Sequence, residues 1–217
     1  MTVGALVLDD EQSYADFATF VARARSLDPA GAMRLQASGS VLAAYVGVFE
    51  GRGLLGEGTV VGLRATTLAQ PATVDLTVPL AALGDRLARA AVPGPDGSGV
   101  LLALPPVSAS ASWAAMAPPR SGWEPVGVIS TSVLTSVARA GIAEVAQGTG
   151  PSAGAPAVTD LRQRVWGRLA TTDPAVVAGA AFAAYALGFL EPGGESTLAS
   201  QGRWTRLSSP RGHVLVR

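Results

Sequence analysis

A serine, an acid and a histidine follow one another as Ser152, Asp160 and His213, and the serine lies in Gly150-Pro151-Ser152-Ala153-Gly154. GxSxG followed by acid and then histidine is the chain order of an acyl-transferring hydrolase. That chemistry needs a strand leading into the serine and a helix leading out, so that the turn lifts the hydroxyl toward the imidazole base. Here the motif follows a helical stretch and sits among glycine, alanine and proline. The acid comes eight residues after the serine, with no intervening strand to carry it to a separate loop. Ser152 therefore reads as a linker residue, and Ser152→Ala is expected to change nothing.

A second spacing suggests a nucleotide. Gly51-Arg52-Gly53-Leu54-Leu55-Gly56 spells GxGxxG behind an apolar strand, and Asp75 follows Gly51 by 24 residues, near the place of a ribose-binding acid. The pyrophosphate in such a site rests on a helix N-terminus directly after the glycines. The residues that follow, EGTVVGLRATT, are rich in threonine and valine and make a poor helix, and Asp75 falls inside its own strand. A glycine-rich hairpin turn is the reading. Asp9-Asp10-Glu11 offers oxygen ligands for a hard cation, yet an acidic run ahead of a helix also serves the positive end of its dipole. Asp75, Asp85, Glu124 and Glu144 are scattered, and their spacing brings no acid/base pair together.

Composition removes further mechanisms. The 217 residues include no cysteine, no lysine and no asparagine, and a single histidine. Without lysine there is no Schiff base and no P-loop lysine on a phosphate. Without cysteine there is no thiolate nucleophile, cysteine-held metal or disulfide, and one histidine cannot supply a cluster of imidazole ligands. No cofactor and no metal is expected. The missing lysine and asparagine fit high-GC coding, hence a bacterial source. Net charge is zero, so no global field steers the chain to polyanions. Residues 1–159 nevertheless hold nine arginines and twelve acids (−3), against seven and four (+3) in 160–217.

The elements that would position these residues can be read from periodicity. DEQSYADFATFVARARSL, 10–27, puts Phe17, Phe20, Val21 and Ala24 on one helical face and stops before Asp28-Pro29. RLQASGSVLAAYVGVF, GTVVGLRATTL and ATVDLTV read as strands, with ASGS as a hairpin turn. In the last of them Val74, Leu76 and Val78 alternate with polar residues. Pro79 opens a helix through PLAALGDRLARAA with a stripe of Leu80, Leu83 and Leu87. GVLLAL, 99–104, is a short strand, and 105–122 is a proline-rich loop around Trp113, either pinned by that ring or mobile. Residues 130–148 form a capped helix, and 148–158, rich in glycine, proline and alanine, read as a linker. Thr159 or Asp160 caps the next helix, and Asp173-Pro174 opens an alanine-rich one, 174–190, read as buried rather than membrane-spanning. The N-terminus turns acidic after eight residues and has no positively charged segment, unlike a signal peptide. A cytoplasmic protein that does not engage a membrane is expected.

The C-terminal stretch GRWTRLSSPRGHVLVR reads as a two-stranded ribbon carrying Arg203, Arg206, Arg211, Arg217 and His213. Two helices followed by such a ribbon give a winged-helix-like order, in which the helix before the wing reads bases in the major groove. AVVAGAAFAAYALGFL offers one tyrosine hydroxyl and no arginine, glutamine or asparagine, so it cannot read bases. Phosphate contact by Arg162, Arg164, Arg168, Arg206 and Arg211 stays open, with Arg164 and Arg168 on one side of their helix. Two registers suit the ribbon: Leu207 opposite His213, which sets Arg203 against Arg217, or Trp204 opposite Leu215. Both give Trp204 an apolar cross-strand partner, a large ring that anchors the ribbon to the rest of the piece.

The stretches LLGEGTVVGLRATTL, PPRSGWEPVG and WTRLSSPRGHVLVR resemble uncharacterised proteins of high-GC bacteria, a likeness that touches about half the chain and brings no catalytic residue with it. The expected fold is α+β: an N-terminal antiparallel sheet with helices over 1–147, the linker 148–158, and a helix-helix-hairpin piece over 159–217. Three function classes follow. The first is a non-enzymatic binding or assembly protein that self-associates as a dimer, argued from the small residues of 174–190, which permit close helix approach. The second is a nucleic-acid-binding regulator using the five arginines. The third is an enzyme acting on a small molecule through carboxylate or serine chemistry, which needs a deep acid-lined pocket.

Overall fold

The computed structural model of the chain describes residues 4–51, 53, 56–149 and 154–217. The fold is mixed α+β, with antiparallel sheet and packed helices. Two compact units divide it: Met1–Val48 with Leu63–Ala117, and Phe49–Gly62 with Pro118–Arg217.

In the first unit the order is β1 (Ala5–Leu8), α1 (Glu11–Leu27), β2 (Ala32–Phe49), β3 (Val60–Pro79), α2 (Leu80–Leu87), β4 (Val92–Pro93) and β5 (Val100–Ala103). The strands lie side by side as β4-β5-β1-β3-β2. α1 starts where the Asp10 carboxylate accepts the Ser13 amide at 2.7 Å, an N-cap that satisfies one of the helix's free donors. Phe17, Phe20, Val21 and Ala24 are its buried face, as their spacing requires, and join Leu6, Leu8, Met33, Leu35, Leu80, Leu83 and Leu102 in the core.

Three sequence expectations change here. ASGS is no hairpin turn: β2 runs unbroken through it, with Gly39 at φ +63°, a left-handed conformation that glycine adopts without strain. GTVVGLRATTL and ATVDLTV are one strand, β3, which passes through an exposed Pro71. Proline's fixed φ suits an extended chain, and its lost donor is tolerated where no ladder bond is needed. Pro79 is the N-cap of α2, which ends at Leu87 with only Leu80 and Leu83 buried. The 105–117 stretch is ordered around Trp113, which lies in a 3-10 turn and is buried against Gly47.

The second unit contains β6 (Glu124–Ser130), α3 (Thr131–Gly148), α4 (Ala155–Gly167), β7 (Leu169–Thr172), β8 (Ala175–Val177), α5 (Ala178–Ala186), β9 (Glu195–Gln201), β10 (Trp204–Ser209) and β11 (Gly212–Val216). Its sheet runs β6-β9-β10-β11 and is extended by the first residues of β3. There Arg217 N donates to Thr59 O at 3.0 Å and Gly58 N to Arg217 O at 2.7 Å.

Helix starts shift as well. α4 begins at Ala155 behind Gly154, ahead of Thr159 and Asp160. Asp173-Pro174 is the turn of the β7–β8 hairpin rather than a helix start, because threonines and valines on either side favour extended backbone. The predicted 17-residue helix 174–190 shrinks to the nine residues of α5. Ala178, Gly179, Ala180, Ala181, Ala183 and Ala184 are all buried within this unit, which leaves no small-residue face for a second copy. Of the expected linker 148–158, Gly148 closes α3, residues 155–158 already belong to α4, and residues 150–153 lie outside the described residues; both helices belong to the second unit. Those helices touch, with Trp166 on Gly141 and Leu161 on Gly148. Phe49 joins Trp166 and Phe182 in an aromatic cluster whose ring centroids are 4.4 to 6.1 Å apart. Among the described residues no helix is long and apolar enough to cross a membrane.

Candidate functional site

The C-terminal ribbon is present as the β10–β11 hairpin, but in a third register. Leu207 pairs with Val214, Ser208 with His213 and Ser209 with Gly212, which closes the tip on Pro210 and Arg211. Gly212 admits no other residue easily: a β-carbon there would come within 2.6 Å of the Phe189 ring. One step beyond the Thr205–Val216 pair, Trp204 therefore meets Arg217, whose guanidinium lies over the indole at 5.7 Å. The expected apolar partner is replaced by a cation on an aromatic face. The ribbon is also wider than expected, since β9 and β6 extend it into a sheet.

Alternation separates the two faces of this sheet. Leu198, Leu207 and Val214 are buried on the face that Gly212 turns to Phe189. The opposite face carries two cross-strand rows, Val128–Thr197–Ser208–His213 and Pro125–Ala199–Arg206–Leu215. Gln201, Trp204 and Arg217 form a third. Arg206 lies under the Trp123 ring at 4.6 Å, and Trp123 is tethered by its indole N–H to Pro119 O at 3.1 Å. His213 Nδ1 sits 2.9 Å from Ser208 Oγ. Burial first, and then the nearby Arg206 charge, hold the His213 imidazole below its usual pKa, so it is neutral at pH 7.

Of the five arginines expected at phosphates, two are tied to acids: Arg168 to Glu144 at 2.6 Å and Arg211 to Glu191 at 2.8 Å. Arg162 and Arg164 are exposed on α4. Arg168 follows the end of α4 in an extended conformation and shares no helical side with Arg164. Arg206 stands on the sheet face opposite Phe189. Trp123, Gln201 and the Arg217–Trp204 stack were missed in sequence. Parity could have found part of it, since 204, 206 and 208 share one side of a strand and 213, 215 and 217 share one side of the next.

The tempting motifs resolve structurally. Gly51, Gly53 and Gly56 lie between β2 and β3, with Gly53 and Gly56 at φ +65° and +63°. A strand follows them, so the helix N-terminus that a pyrophosphate requires is not there. Asp75 is held by Arg34 at 2.7 and 2.8 Å and by Gln36 at 3.1 Å. Ser152 lies outside the described residues. Among the described residues no three of His, Cys, Asp and Glu are grouped to hold a metal.

The chain is similar to known proteins in fold and in family. It belongs to the family defined by a domain of unknown function (DUF8010), whose model matches residues 1–114. The model of a second domain of unknown function (DUF8185) matches residues 118–217. No curated protein matches the chain by sequence. Among solved structures, the DNA polymerase III subunit beta from Pseudomonas aeruginosa shares its fold with a TM-score of 0.52 at 12% identity. The match takes in 98% of this chain but spans only 64% of that one.

Proposed function

We propose that the protein is a non-enzymatic binding and assembly protein that works by self-association. The observation that carries this is β6. Among the described residues it pairs with β9 alone and closes the second unit's sheet at one end, and it shows Val126 and Val128 at 48% and 51% exposure. An unpaired strand edge with apolar side chains is a template for another chain. The self-association argument thus moves from the small residues of α5 to this edge. The fold likeness to a protein whose name makes it one subunit of a polymerase supports the reading. Sedimentation velocity across the micromolar range tests it. The wild type should gain mass with concentration, and Val126→Lys/Val128→Lys should remain a monomer. A wild type that is strictly monomeric throughout would refute it.

The nucleic-acid reading is second, and Arg162 and Arg164, exposed and without an ion-pair partner among the described residues, favour it. Arg168 and Arg211 already face carboxylates, which lowers what they could offer a phosphate.

A further inference from the structure

Five buried side-chain polar atoms lack a partner among the described residues, and three of them sit on one face of three adjacent strands: Gln201 Oε1, Arg206 Nε and Arg217 Nε. Native proteins leave few such atoms, and each calls for an explanation. Arg206 pairs across the hairpin with Leu215, so Arg217, two residues on, is its diagonal neighbour on the same face, at about 7–8 Å. Among the described residues neither guanidinium has an ion-pair or hydrogen-bond partner. Both are instead laid against rings, Trp123 and Trp204.

Two cations on neighbouring positions of one face are both stabilised by an anion placed within reach of both. The acid of this face within the sheet, Glu195, is exposed and four residues along β9 from Ala199, the residue opposite Arg206, or about 13 Å away. Glu57, beside the Gly58 that anchors the Arg217 carbonyl, is exposed and has no ion-pair partner among the described residues. Among the described side chains, the two oriented guanidiniums have no carboxylate partner. A planar carboxylate suits a single guanidinium fork. A tetrahedral phosphate has enough oxygens to accept from two forks at once.

We propose that this face of the second unit is a phosphate-binding site, in which Arg206 and Arg217, held flat by Trp123 and Trp204, grip the phosphate of a free nucleotide or of a nucleic-acid strand. The site goes beyond the assembly reading and does not depend on it, since the second unit's own residues supply every contact. Among the arginines first expected at phosphates it keeps Arg206 and adds Arg217, with Arg162 and Arg164 outside it.

The single histidine of the chain provides the readout. His213 is diagonal to Arg206 on the same face, and an anion bound there offsets the Arg206 charge. Proton NMR titration of the imidazole, at matched ionic strength, compares chloride with inorganic phosphate, thymidine monophosphate and a thymidine oligonucleotide. The His213 midpoint should rise by about half a pH unit with a phosphate bound, a roughly threefold gain in proton affinity. Arg206→Gln should abolish the response, Trp123→Ala should weaken it several-fold, and Arg162→Gln/Arg164→Gln should leave it intact, each with a wild-type circular dichroism spectrum. Equal response to the monophosphate and the oligonucleotide assigns a small ligand, and response to the oligonucleotide at far lower concentration assigns a strand. A midpoint equal to that in chloride with all three probes, or a shift that persists in Arg206→Gln, overturns the proposal. A protein that stays monomeric yet shows the shift would lose the assembly reading and keep this one.

Discussion

At the scale of single residues, His213 makes a pH-dependent contribution whose sign can be worked out. Its folded pKa lies below the unfolded value, with burial the larger cause and Arg206 the smaller. Between those two values the unfolded chain binds more protons, so stability rises with pH there. It is lost as pH falls below about 6.5, the unfolded histidine value, toward the folded one. Thermal melts between pH 7.5 and 5 should show this loss in the wild type and a flatter profile in His213→Gln. An unchanged slope in the variant would mean that other groups set it. Asp10 acts in a different window. Its carboxylate, lowered by the Ser13 amide and hydroxyl, keeps its stabilising role above ordinary carboxylate pKa values and gives it up only in acid.

At the scale of elements, close approach of helices decides the second unit. α3 passes α4 at Gly141, where a β-carbon would collide with the Trp166 ring. Gly141→Ala should cost about 1–3 kcal/mol through overpacking. Gly167→Ala, at the end of α4 with nothing within 4 Å, should be neutral or slightly stabilising. Urea unfolding of the two variants measures the contrast, and equal midpoints would contradict the packing argument. Elements with strong periodicity were legible in the sequence: α1 down to its four buried residues, α3, β5 and the ribbon. Those set by distant partners were not. β6 and β9 carry mixed, weakly alternating residues and exist because each pairs with the other. The Asp173-Pro174 pair has the chemistry of a helix start, yet the strand-forming residues around it make a hairpin. In the candidate site the arginines were visible as residue types. Their stacking on Trp123 and Trp204 depends on a hairpin register that the Phe189–Gly212 contact fixes, and no local pattern encodes that contact.

At the scale of the whole molecule, the compact units and the family matches divide the chain differently. The matches part between residues 114 and 118, whereas the second unit also owns Phe49–Gly62. A fragment of residues 118–217 would lack Phe49 from its aromatic cluster and leave β11 without the strand that Thr59 and Val60 begin. It should melt well below the intact protein and aggregate through that edge. A peptide of residues 49–62 added in trans should raise its melting temperature, and a fragment as stable as the whole chain would show that the segment is dispensable. The same discontinuity has a consequence for synthesis. Residues 49–62 leave the ribosome before the rest of their unit, but their sheet partner is β11, and Arg217 lies 155 residues after Gly62. At about 5–20 residues per second the segment waits roughly 8 to 30 seconds for its partner. The second unit is therefore sealed only once β11 has been made, and a nascent chain halted short of β11 carries an open seam.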